Sequence, residues 1–116
     1  MTFTYELPLP VSKPNNYRFN KKGSFYKTST VKDNEKEIIK VIEMNKPDAL
    51  LLGPLNLTVH LYYDDNRRRD IDNPLKCLFD CCNGIIWKDD SQIIILTVYK
   101  HLKSDCRKCI LTVENA

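Results

Sequence analysis

Residues 55 to 63 read LNLTVHLYY, with Leu55, Leu57, Val59, Leu61 and Tyr63 at every second position. That is the period of an extended strand with one apolar face. His60 and Tyr62 fall on the opposite face, where His60 reads as a hydrogen-bonded strand residue. A strand with one apolar side needs a second layer to cover it, and two segments have the helical period to do so. Asn34 followed by EKEIIKVIEMNK predicts an N-cap, an acidic first turn and a face made of Ile38, Val41 and Ile42. Between 73 and 83, Leu75, Leu78, Phe79 and Cys82 recur at i, i+3, i+4, i+7 and stop at Asn83-Gly84, predicting a second helix.

Three more stretches have strand character. TFTYELPLP, residues 2 to 10, alternates Phe3, Tyr5 and Leu7 with polar residues and closes on prolines. QIIILTVYK, 92 to 100, is apolar on both faces, which predicts a central strand covered on two sides. KSDCRK then reads as a polar hairpin turn, and CILTVE as a last strand with Cys109, Leu111 and Val113 inward. The order strand, loop, helix, strand, helix, strand, strand predicts an α+β fold: two layers, a mixed β-sheet with two helices packed on one face. At 116 residues one domain, 1 to 116, is the simplest organisation.

Hydrophobic residues make up 42% and charged residues 28%, ordinary for a soluble globular chain rather than a disordered one. The longest apolar runs, ALLLG and IIIL, fall far short of the ~20 residues of a membrane span. With no basic-then-apolar leader, the expectation is a cytoplasmic protein with no membrane partner. Five cysteines, an odd number, then point to free thiols rather than a disulfide framework. Cys106 and Cys109 form a CxxC that raises structural zinc. Four ligands would need Cys77 and Cys81 as well, and His60 and His101 lack the spacing of a histidine pair. Small buried or surface thiols are the simpler reading.

A net charge of +3 announces no nucleic-acid partner by itself. Its distribution says more, because Lys13, Arg18, Lys21, Lys22, Lys27 and Lys32 stand against Glu6 alone in the first 32 residues. The segment 11 to 32 has no apolar period and is predicted to be a loop. Tyr17, Phe19, Phe25 and Tyr26 are interleaved there with the cations, a composition that suits a phosphate backbone with stacked bases. A solvated loop whose aromatics fold back onto the core accounts for the same residues.

RRRDIDNPLK, residues 67 to 76, packs three arginines, two aspartates and a lysine into ten positions, between the strand that starts at Leu55 and the second helix. In an extended backbone Asp70 and Asp72 point to one side. Asp72 can also cap the helix, with Pro74 tolerated in its first turn and Lys76 four residues on. A second acidic pair, Asp89-Asp90 in WKDDSQ, stands at the mouth of the next strand. Caps, turn aspartates and salt-bridged arginines explain such a junction structurally. Convergent carboxylates, however, repel one another until a cation neutralises them. An all-oxygen set with open positions suits magnesium or manganese, and flanking arginines suit a phosphodiester substrate.

RRRDIDNPLKCLFD followed by WKDDSQ resembles the signature of the RusA family of crossover junction endodeoxyribonucleases, which resolve Holliday junctions and are common in phages and prophages. The likeness extends to the N-terminal strand ending in proline, to the loop with Ser12, Asn15, Asn16, Tyr17 and Arg18, and to the final hairpin. It covers nearly the whole chain. The resemblance implies Asp70, Asp72 and Asp90 as metal-binding catalytic residues, Lys76 as the essential basic residue of catalysis, and Arg67, Arg68 and Arg69 with Asn16, Tyr17 and Arg18 as DNA-binding residues. It further implies a magnesium cofactor, with manganese as substitute, a homodimer, and paired nicks in a branched, four-way DNA junction. Lys13-Pro14, Cys106 and Cys109 depart from the family pattern. A noncatalytic DNA- or RNA-binding module is the competing function, using the same arginines with the aspartates as caps.

Overall fold

The computed structural model describes residues 1–11, 17–19, 25–27 and 29–116. Its elements follow as β1 (Thr2–Leu7), β2 (Tyr17–Phe19), β3 (Phe25–Lys27), α1 (Ser29–Met44), β4 (Leu55–Tyr62), α2 (Asn73–Cys82), β5 (Ile93–His101) and β6 (Lys108–Asn115). Four strands form one mixed sheet in the order β1-β6-β4-β5, with β4 and β5 parallel and the other pairs antiparallel. The α+β architecture expected from the element order is therefore present. Leu55, Leu57, Val59 and Leu61 of β4 are fully buried, while the alternate residues on the other face are half-exposed. Val31, Ile38 and Ile42 of α1, Leu78 and Cys82 of α2, Leu111 and Val113 of β6, and Trp87 are fully buried as well. Each large aliphatic side chain so buried contributes about 1.5–3 kcal/mol.

The first helix departs from its expected start. It begins at Ser29, five residues ahead of Asn34, and Val31 in its first turn is fully buried. Asn34 is not an N-cap. Its amide instead reaches the N-terminal strap, accepting from the Val11 N–H at 3.0 Å and donating to the Leu9 carbonyl at 2.9 Å. The predicted loop 11–32 also contains a small antiparallel ladder, with Tyr17 opposite Lys27 and Phe19 opposite Phe25. Strands of three residues are too short to print an alternation. Ser12, Lys13, Pro14, Asn15 and Asn16 lie outside the described residues, and Tyr17 and Arg18 are described only as strand backbone.

β5 is not a central strand. Among the described residues it pairs with β4 on one side only and forms the sheet's edge, leaving Ile94, Ile95, Leu96 and Tyr99 between 40% and 63% exposed. Nor do β5 and β6 make a hairpin. They flank β4 on opposite sides, so the polar connection 102–107 crosses the end of β4. Apolar character on both faces predicts double cover, but local sequence does not encode which neighbour a strand chooses. The turn that crosses is closed by backbone bonds from Lys103 N to Asp65 O and from Ser104 N to Tyr63 O, with Lys103 itself in the left-handed region at φ 54°.

On the open face His60 Nδ1 lies 2.9 Å from His101 Nε2, so His60 is the hydrogen-bonded strand residue its position predicts. Tyr99 stacks on His60 and Tyr62 on His101, with centroids 4.6 and 4.4 Å apart. All five cysteines are free thiols. Cys109 is buried in β6 and Cys106 is exposed, so the two sulfurs of the CxxC occupy different environments. Burial pushes the Cys109 thiol up to about 12. Among the described residues no group of three or more His, Cys, Asp or Glu side chains is placed to hold a metal ion. No helix among them is long and apolar enough to cross a membrane.

Candidate active site

Beyond β4 the chain runs irregularly from Tyr63 to Asp72 before α2 begins. The two-residue spacing of Asp70 and Asp72 is therefore not set on a strand. Asp72 takes the N-cap position with helical dihedrals (φ −87°, ψ −24°), and its backbone carbonyl accepts from Leu75 N in the first turn at 3.1 Å. Its side chain makes no capping bond. The expected cap is thus absent, and the exposed carboxylate stands free of the helix it introduces. Asp70 accepts one 3.3 Å bond from Asn73 Nδ2. Pro74 in the first turn costs α2 nothing, since that N–H has no intrahelical partner in any case.

The arginine run divides into two parts. Arg69 donates twice to Asp65, at 2.5 and 3.1 Å, and lies 4.3 Å from the centroid of Tyr63. These bonds hold the Asp65 carboxyl well below the usual carboxylate range. Arg67 is 80% exposed and 3.8 Å from the same carboxylate, and Arg68 is exposed. Arg107, from the crossing connection, meets Asp64 at 2.9 Å and approaches Tyr63. Sequence reasoning missed Arg107 and Tyr63, because a turn read as a simple hairpin gives no reason to place them here. Together with Arg68, Arg69, Asp70 and Asn73 they line a cleft of about 550 Å³ bounded on another side by Leu9, Pro10 and Val11. Its walls carry three guanidinium groups beside Asp70, suited to an extended anion.

Lys76 lies one turn into α2, exposed over two thirds of its side chain, and its ammonium is 3.5 Å from Asp80. Its sequence neighbour at i−4, Asp72, is not the partner found. The second acidic pair is held by the turn that opens β5. Asp89 caps a single-turn 3₁₀ helix, Asp90–Gln92, in a reciprocal capping box. Its carboxyl is lowered first by its hydrogen bond to Ser91, with the Lys76 charge a smaller contribution. Gln92 ties the turn down, accepting from Lys88 N and Asp89 N and donating to the carbonyls of Leu51 and Gly53. Trp87 anchors it from beneath, fully buried with its indole N–H on Asn83 Oδ1 at 2.6 Å. Asp89 is occupied as a cap, which leaves Asp90 as the member of the pair with its carboxylate uncommitted among the described residues.

Asp70, Asp72 and Asp90 thus supply oxygen donors and no nitrogen or sulfur, a set that fits a hard divalent cation rather than zinc. They are not preassembled around a common point.

Comparison with known proteins identifies the family. Residues 8–114 match the family model for Endodeoxyribonuclease RusA. The crossover junction endodeoxyribonuclease RusA of Escherichia coli strain K12 is 29% identical over 100 residues, covering 85% of this chain and 82% of that protein. The enzyme of the same name from Enterobacteria phage 82 gives the same identity and coverage. That of Escherichia coli O139:H28 is 26% identical over 113 residues, 97% of this chain and 93% of its own length. The chain belongs to the RusA family of endodeoxyribonucleases.

Proposed function

We propose that this protein is a structure-selective endodeoxyribonuclease that resolves four-way DNA junctions with magnesium as cofactor. The observation that carries the reading is the state of the carboxylates. Asp72 sits at a helix N-cap without capping it, and Asp90 is the unengaged half of an acidic pair. A binding module gains nothing from free carboxylates beside an arginine-lined cleft, because they repel phosphate. Asp70, Asp72 and Asp90 would hold the cation, with manganese as a substitute. When bound, magnesium polarises the phosphate and lowers the pKa of the attacking water.

The chain's own residues do the rest. Arg67 and Arg68, open to solvent, hold the DNA backbone, while Arg69 is committed to Asp65 and Tyr63 and stiffens the segment ahead of Asp70. Lys76 offers a compact ammonium to charge developing on the scissile phosphate. Asn16, Tyr17 and Arg18 belong to the N-terminal basic segment and extend the DNA contact.

A four-way junction has two-fold symmetry and needs two cuts, whereas one chain carries one such site, so the active form is a homodimer. β5 supports this. Among the described residues its outer edge is unpaired, and its first seven residues, IIILTVY, are uncharged and largely exposed, a combination that soluble proteins cover. Pairing of β5 with a second copy covers it. Incubation of the purified protein with a synthetic four-way junction, with and without magnesium, tests the function. Symmetric paired nicks only with magnesium are expected. Tight junction binding without cleavage in either magnesium or manganese would instead make the protein a binding module.

A further inference from the structure

The segment that leads to Asp70 is tied at several points. Tyr63 N donates to His101 O at 2.9 Å, Ser104 N to Tyr63 O at 2.8 Å and Lys103 N to Asp65 O at 2.9 Å. Asp65 in turn receives Arg67 N at 3.2 Å and the Arg69 guanidinium. The last of these ties comes from the edge strand. Lys100 in β5 pairs with Leu61, and its ammonium donates a 2.6 Å hydrogen bond to the carbonyl of Arg69, whose carbon is bonded to the Asp70 nitrogen. A charged donor at that distance makes a strong bond. It fixes the peptide plane from which the Asp70 side chain departs.

We propose that Lys100 is a positioning residue for Asp70, setting the direction of that carboxylate through the Arg69 carbonyl rather than by touching DNA. The inference rests on the reading of Asp70 as a metal-binding catalytic carboxylate. A cation this near a phosphate-binding cleft has an obvious other use, as a direct phosphate contact. The geometry favours the positioning role, because one of the three ammonium N–H donors is on the Arg69 carbonyl and Lys100 pairs in register with buried Leu61, and the salt dependence of binding separates the two uses.

Lys100→Met keeps the apolar stem and deletes the donor, while Lys100→Arg restores a cationic one. Amide hydrogen exchange of the full-length protein without DNA or metal should quicken across residues 66–71 in Lys100→Met and return toward the parent in Lys100→Arg. In Lys100→Met single-turnover junction cleavage should fall about 10- to 100-fold, the scale of a misplaced catalytic group. The magnesium concentration for half-maximal cleavage should rise, with junction affinity in calcium and its salt dependence unchanged. Unchanged exchange at 66–71 in a folded Lys100→Met protein overturns the proposal, and so does a salt slope lowered by the equivalent of one phosphate. Should Lys100→Met fail to fold, undiminished cleavage by Lys100→Leu, which also lacks a donor, serves as the overturning result. Full activity of Asp70→Asn would instead defeat the catalytic reading, and the exchange result would stand apart from it.

Discussion

The ammonium of Lys76 stands 3.5 Å from the carboxylate of Asp80, one helical turn further along α2, with 68% of the lysine side chain and 28% of the aspartate side chain exposed. Such a pair stabilises a helix by about 0.3–0.5 kcal/mol. Lys76→Ala should therefore lower Tm by no more than a few degrees. If Lys76 faces the scissile phosphate, the same change lowers single-turnover cleavage at least ~100-fold. Lys76→Arg should recover only part of it, since a planar guanidinium does not replace a compact ammonium. Asp80→Asn serves as the comparison. A cleavage defect in Asp80→Asn as deep as that of Lys76→Ala would reduce the lysine to one half of a salt bridge.

Asp72→Asn removes a carboxylate that caps nothing by its side chain. Its thermal midpoint should match the parent's closely, whereas a lost N-cap bond typically costs about 1 kcal/mol. Cleavage should disappear while junction affinity holds or tightens, because a negative charge has left the phosphate's surroundings. Gel-shift and cleavage assays on one preparation separate these outcomes, and parallel loss of binding and stability would return Asp72 to a structural role.

For the arginines the structure divides what the sequence run presents as one block. Arg67→Ala with Arg68→Ala should weaken junction binding and reduce the slope of log affinity against log salt by up to ~2, about 0.9 for each phosphate no longer neutralised. Arg69→Ala should loosen the segment ahead of Asp70 instead. The Asp65 carboxyl is lowered in the folded protein by its Arg69 bonds. Its contribution to stability is therefore fully present above the unfolded value of ~3.9 and is lost only as pH falls through the lower folded value. Melting curves of the parent from pH 8 down to pH 5 should show no change attributable to this pair. An Arg69→Ala protein with parental stability and a reduced salt slope would place all three arginines on DNA.

Ile95 is 47% exposed at the edge of the sheet, so Ile95→Lys should leave the monomer folded. It puts a charge into the edge proposed to meet a second copy. Sedimentation equilibrium should give two chains for the parent and one for the variant, and the variant should nick junctions without coordinating the two cuts. A parent that sediments as a single chain at micromolar concentration removes the dimer from this scheme.

Much of this is legible in the sequence because period and side-chain chemistry are local. The alternation in LNLTVHLYY and the Leu75, Leu78, Cys82 stripe predict β4 and α2 closely, and the Asn83-Gly84 stop matches a turn with Gly84 at φ 81°. The family is legible because RRRDIDNPLKCLFD and WKDDSQ together resemble its signature, whereas the charge cluster alone has a structural explanation. The misses are matters of tertiary choice. Asn34 has the chemistry of a cap, yet its amide is spent on Leu9 and Val11, more than twenty residues away. QIIILTVY has the composition of a buried strand, yet lies at an edge, since composition does not encode which strands it pairs with. Arg107 reaches the cleft because its connection crosses β4, a path no local pattern encodes.

The position of β6 also has a consequence in time. Among the described residues β1 hydrogen-bonds within the sheet only to β6, with Thr2 opposite Glu114 and Leu7 opposite Cys109, so that ladder waits until β6 has been translated. Closing a loop of that span carries its entropy cost before any ladder bond offsets it, which places folding among the slower, high-contact-order topologies. β4 and β1, both adjacent to β6, are brought into one sheet by the same late event. A nascent chain therefore cannot complete this sheet before β6 has emerged.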